Sequence, residues 1–92
     1  MAILLKSNGE RIEVEPENGR DFKRKELCKM LECEMIEVVY LWDGRLMIVD
    51  EEGKFYKCDI NPWATGLLHR SGGMREDFVV GDALVCSSEQ FF

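Results

Sequence analysis

His69 is the only histidine in the chain, and its neighbours in sequence are an aromatic ring at Trp63, a hydroxyl at Thr65 and a cation at Arg70. Acid–base or nucleophilic chemistry would require a second group paired with His69. No Ser or Cys is visibly paired with it. Cysteines stand at 28, 33, 58 and 86, without a CxxC pair and without a Cys next to His69. A tetrahedral metal would therefore have to gather ligands from distant elements. The four thiols read instead as small, buried, reduced hydrophobes. Asp43, Asp50, Asp59 and Asp82 each fall at or beside a turn, where an aspartate bonds its local backbone. The residue types thus assign no catalytic group, no metal ligand and no cofactor, and they lean away from an enzyme.

Binding is a better match for the same stretch. A helix N-terminus at Asn61, an indole, a hydroxyl, an imidazole and a guanidinium within ten residues suit a nucleotide-like anion. The candidate ligand set is Trp63, Thr65, His69, Arg70, Arg45 and Asn61. A purely structural account competes with it. Asn61 can cap a helix and Pro62 opens one without losing a hydrogen bond. Ala64, Leu67 and Leu68 share one face, with Trp63 at its rim. Gly66 lowers helix stability by about 0.8–1.0 kcal/mol relative to Ala, and such a glycine usually marks close approach by a backbone or ligand. Ser71-Gly72-Gly73 ends the helix. Capping explains Asn61, Pro62, Ala64, Leu67 and Leu68; it leaves Trp63, Thr65, Gly66, His69 and Arg70 to face a ligand, another subunit or water.

The elements that must position these groups alternate strand and helix. Ala2 to Lys6 and Arg11 to Glu15, joined through Asn8-Gly9, predict a hairpin. A helix is expected from a cap at Asp21, with Phe22, Leu27, Met30 and Leu31 inward and Lys23, Arg24, Lys25 and Lys29 on a solvated face. Met35 to Leu41 reads as a central strand, turned back by Asp43-Gly44 into Arg45 to Asp50. Apolar residues on both faces of this pair imply a sheet covered on both sides, or one covered by a partner molecule. Phe55 to Cys58 reads as a third strand of a meander. Asp77 to Val80 and Ala83 to Cys86 flank a Gly81-Asp82 turn and close the sheet. Phe91 and Phe92 read as exposed aromatics at the tail. The expected architecture is α+β: one domain over 1–92, with a mainly antiparallel twisted sheet of about five to seven short strands, one longer helix and one short one.

Composition sets outer limits. The 92 residues are 46% hydrophobic and 33% charged, too apolar for disorder. A chain of this size buries only about 60–65% of its unfolded surface, so self-association is a natural way to bury more. The formal net charge of −6 disfavours direct contact with nucleic-acid phosphates. Apolar runs are too short to span a bilayer, and the first residues read as a strand of a cytoplasmic protein rather than a leader.

Three segments in order carry a resemblance: DGRLMIVDEEGK at 43–54, NPWAT at 61–65 and VGDALVC at 80–86. The pattern resembles a small uncharacterised family of bacteriophage and mobile-element proteins, over most of the chain. Such a setting implies a host-cell cytoplasmic protein that works by binding. The first expectation is a homo-oligomeric sponge that sequesters a nucleotide-derived host immune signal, with sites between subunits. The alternative is a protein-interaction module that inhibits a host protein through its acidic surface and tail. A small hydrolase using His69 and an aspartate ranks last.

Overall fold

The computed structural model describes residues 2–57, 59–74 and 76–91. Its centre is a five-stranded antiparallel sheet, built from two hairpins joined by one strand. The first hairpin pairs β1 (Ala2–Leu5) with β2 (Arg11–Val14), Ala2 opposite Val14. The second pairs β3 (Ile36–Tyr40) with β4 (Leu46–Asp50), Ile36 opposite Asp50. β5 (Ala83–Cys86) lies between β1 and β4, so the spatial order is β2-β1-β5-β4-β3.

Alternation along each strand sends side chains to two separate cores. On one face Ala2, Leu4, Leu46, Ile48, Leu84 and Cys86 meet Leu27 and Leu31 from around α1 (Arg24–Met30), together with Phe22. On the other, Leu5, Met47, Val49, Ala83 and Val85 meet Ala64 of α3 (Pro62–Arg70), with Leu41 and Val79. Burying a large aliphatic or aromatic side chain stabilises by about 1.5–3 kcal/mol, so this double cover is the main reason the sheet holds. β4 and β5 are buried along their whole length, as strands covered on both faces must be.

Several expectations need correction. The Met35 to Leu41 segment forms an edge strand, not a central one, and Tyr40 is largely exposed. Its apolar residues serve one hairpin partner and the rims of both cores. The helix expected from Asp21 begins at Arg24. Asn18 Oδ1 accepts the Arg20 and Asp21 amides, which turns the chain, and Phe22 N–H then bonds the Gln90 carbonyl at 2.7 Å. Phe22 is thereby drawn into a bridge with Phe91 rather than onto the helix. Phe91, expected to be exposed, is half-buried against the α1-side core; Phe92 lies outside the described residues.

Of the strand expected over Phe55 to Cys58, Phe55 and Tyr56 belong instead to a one-turn helix, α2 (Gly53–Tyr56), and Cys58 lies outside the described residues. The Asp50 carboxylate causes this by accepting the Glu52 amide and the Tyr56 hydroxyl, which folds the chain back immediately after β4. Of the expected strand Asp77 to Val80, only Val80 pairs, in an isolated bridge with Ile60. Side chains take its amides instead, Asp77 Oδ1 accepting from Phe78 and Thr65 Oγ1 from Val79.

Candidate functional site: the outer face of α3

α3 starts where the sequence places it. Asn61 is fully buried and caps the helix by accepting the Ala64 amide at 3.1 Å. Its Nδ2 donates to the Leu5 carbonyl at 2.8 Å and to the Gly81 carbonyl at 2.9 Å. One amide side chain therefore fixes α3 to the end of β1 and to the turn before β5. Ala64, Leu67 and Leu68 face the core as the spacing predicts. Pro62, Trp63, Gly66, His69 and Arg70 form the outer face.

Each end of that face carries an indole stacked by a guanidinium. Arg11 of β2 lies 4.4 Å over the Trp63 ring, and Trp63 Nε1 donates to the Gly9 carbonyl at 3.1 Å. At the other end Arg70 lies 4.4 Å over Trp42, whose backbone amide donates to Ser71 Oγ at 3.2 Å. Trp42 and Trp63 remain 49% and 46% exposed, so each stack keeps about half its ring area for an outside group. Between them stands Gly66: a Cβ placed there would meet nothing within 4 Å. The close backbone approach expected at this glycine does not occur among the described residues, which leave the middle of the face open.

The six sequence candidates thus separate. Trp63, His69 and Arg70 share the outer face. His69 Nε2 donates to the Asp77 carbonyl at 2.8 Å, which ties the ring to the 77–80 segment. Thr65 is half-buried and holds the 77–80 segment through Val79, and Asn61 is committed to capping and to β1. Arg45 shares the Asp43-Gly44 turn with Trp42, where its Nε bonds Asp43 Oδ2 at 2.8 Å. That turn also holds the Asp43 carboxyl below the usual carboxylate range, chiefly through the Arg45 backbone amide. Trp42 and Arg11 complete the stacks but were not among the candidates. Arg11 is separated from α3 in sequence by α1, β3, β4 and α2, and the β2–β1 pairing brings it over Trp63.

The family model for a domain of unknown function, DUF3846, matches residues 1–91. The chain belongs to that family. No curated protein and no solved structure matches it significantly.

In this DUF3846 chain a second polar cluster escaped the sequence reading. Asp50, only 7% exposed, ends the fully buried β4 on the α1 side of the sheet. Burial raises its pKa, but the Tyr56 hydroxyl, the Glu52 amide and Lys57 outweigh that and hold it below the usual value. Asp50 in turn pushes the Tyr56 phenol up to about 12. Lys57 Nζ lies 3.1 Å from Asp50 and also donates to the Leu31 carbonyl at 2.8 Å. The usable signal was an aspartate closing an uninterrupted apolar strand, followed within seven residues by Tyr and Lys. Asp43 caps its own turn as expected by accepting the Arg45 amide, whereas Asp82 departs from the local role: it accepts the amide of the distant Ser7 and pairs with Lys6.

Cys86 is buried as expected, whereas Cys28 and Cys33 are only half-buried; Cys58 lies outside the described residues. Among the described residues no group of three His, Cys, Asp or Glu could hold a metal ion. No helix among them is long and apolar enough to cross a membrane.

Proposed function

We propose that this chain is a binding module without chemistry of its own, and that the outer face of α3 docks a protein partner. The observation that carries the reading is the pair of half-exposed Trp–Arg stacks, set about 10 Å apart along one helix by its rise per residue. Trp and Arg dominate the energetics of protein interfaces, because each combines large contact area with directed hydrogen bonding. A helix face is convex, so it suits another surface better than it encloses a small molecule. The resemblance to phage and mobile-element proteins supports a host protein as the partner class, with inhibition as the outcome.

A photo-crosslinking side chain at position 66 tests this, since the space there is open. The expected result is a single saturable protein adduct from host extract, abolished by Trp42→Ala with Trp63→Ala and absent from a probe at Lys25 on the opposite helix. Equal labelling from both positions would sink the reading.

The stacks also favour a second reading. An indole paired with a guanidinium offers a platform for a base and a donor for a phosphate. A homo-oligomer that closes two such faces around a nucleotide-derived immune signal would use Trp63, His69 and Arg70 in that way. Native mass spectrometry with cyclic dinucleotides and cyclic ADP-ribose variants separates the two readings. An oligomer retaining nucleotide supports the sponge, and a monomer that binds none of them leaves the protein-docking face.

A further inference from the structure

The end of α1 brings together two thiols that the docking face does not use. Cys33 N–H donates to the Cys28 carbonyl at 2.9 Å, and Glu32 N–H to the Lys29 carbonyl at 3.3 Å. In this helix ending the residue after the cap turns left-handed, and the side chains at the two ends of the wider hydrogen-bonded ring meet. Glycine normally takes the left-handed position and an apolar pair the meeting positions. Here Glu32 adopts φ 52, the only non-glycine residue with positive φ among the described residues. The meeting positions hold Cys28 and Cys33.

Neither is in a disulfide, and both line one recess with Glu34, Glu52 and Tyr56. Cys28 lies close enough to hydrogen-bond the Cys33 thiol, and it donates to the Glu34 carbonyl at 3.6 Å. Cys33 packs against the α1-side core, and the left-handed Glu32 that places it beside Cys28 carries a backbone cost that an apolar pair after glycine would avoid.

We propose that Cys28 and Cys33 are a reversible dithiol–disulfide pair, oxidised by a low-molecular-weight disulfide such as oxidised glutathione. Cys28, as thiolate, attacks one sulfur of that disulfide; the new bond is Cys28–S–S–glutathione, and glutathione thiolate leaves. Cys33 then loses its proton to solvent and attacks the Cys28 sulfur, forming the internal bond and expelling the second glutathione thiolate. Two protein thiols are oxidised and one glutathione disulfide is reduced to two thiols. Burial, followed by the Asp50 charge and Cys28, pushes the Cys33 thiol up to about 11. Closure of the ring therefore accelerates as pH rises and more of the Cys33 thiol becomes thiolate.

The test uses the full chain with Cys58→Ser, equilibrated in glutathione redox buffers, natively and in concentrated urea. Thiols are then trapped by alkylation and mapped by mass spectrometry. The expected product is a Cys28–Cys33 link, reversed by reductant and favoured about tenfold or more in the folded chain over the unfolded one. A ratio at or below one, or only single glutathione adducts, overturns the proposal. With Cys33→Ser, Cys28 should stop at the mixed disulfide; if it takes no glutathione, the attacking role fails. A closure rate that is flat with pH removes Cys33 as the resolving thiol.

Discussion

α1 and α3 cover opposite faces of one sheet and finish in the same hydrogen-bonded turn, yet they build it from different residues. At α3 the amides of Gly72 and Gly73 bond the carbonyls of His69 and Leu68 at 3.2 and 2.9 Å. Gly72 has φ 96, and a Cβ on Gly73 would lie 2.7 Å from Leu68 Cγ and 2.8 Å from its carbonyl oxygen. At α1 the equivalent positions are Glu32 and Cys33. Both caps are also tied to a neighbour: Ser71 accepts the Trp42 amide, and the Leu31 carbonyl accepts the Lys57 ammonium. The α3 end follows what backbone sterics favour. The α1 end departs from it in two places, and both departures serve to set one thiol against the other.

The largest way to break the comparison lies at the opposite end of α3. Asn61→Ala removes the cap and leaves the buried Leu5 and Gly81 carbonyls without their donor, so the expected loss is about 2–4 kcal/mol. Urea denaturation would read this as a lower midpoint at unchanged slope. Gly73→Ala comes next, with a loss of about 1–3 kcal/mol as the new methyl displaces Leu68 from the core. Its thermal midpoint should fall clearly below that of Gly66→Ala, where the methyl meets only solvent and helix propensity improves.

The same logic with opposite sign applies at α1. Glu32→Gly relieves the left-handed strain and should stabilise by about 1 kcal/mol. A destabilised Glu32→Gly chain in a melting experiment would show that the Glu32 side chain itself holds the turn. The smallest effect is the one set by pH. The folded-state pKa of Asp50 is depressed, so its contribution is present above the unfolded value near about 3.9 and is lost as pH falls through the folded value. Asp50→Asn should therefore melt below the parent at pH 7, and the gap should close on acidification. Exchange of the Leu31–Cys33 amides should speed up before that of the α3 end.

How far the sequence could be read follows from the same contrast. Wherever one rule acted alone, the reading succeeded: Asn8-Gly9 made the hairpin, Asn61-Pro62 opened α3, and apolar residues on both faces of the second hairpin pointed to a sheet covered twice. It failed where a side chain competed for the backbone. Asp50 bent Phe55 and Tyr56 out of strand form, Thr65 took the Val79 amide, and Asn18 delayed α1. Position within the sheet was also hidden, because Met35 to Leu41 is as apolar as a central strand although it lies at the edge. For the site, Trp63, His69 and Arg70 were legible as a cluster. Their partners Arg11 and Trp42 were not, since strand pairing and a turn supply them from elsewhere in the chain. The Cys28–Cys33 pairing depended on a left-handed glutamate, which no propensity would assign.

The strand order carries a consequence for the way the molecule is made. Two hairpins, β1–β2 and β3–β4, form from local contacts, but neither touches the other in the sheet. β5 joins them, and an isolated two-stranded hairpin is marginal in water. During synthesis the nascent chain therefore holds two separate, unfinished halves until residues 83–86 clear the ribosome. Asn61, which bonds a carbonyl 56 positions upstream and another 20 downstream, can lock only after that moment. The five-stranded sheet thus cannot be completed before its last strand in sequence is available.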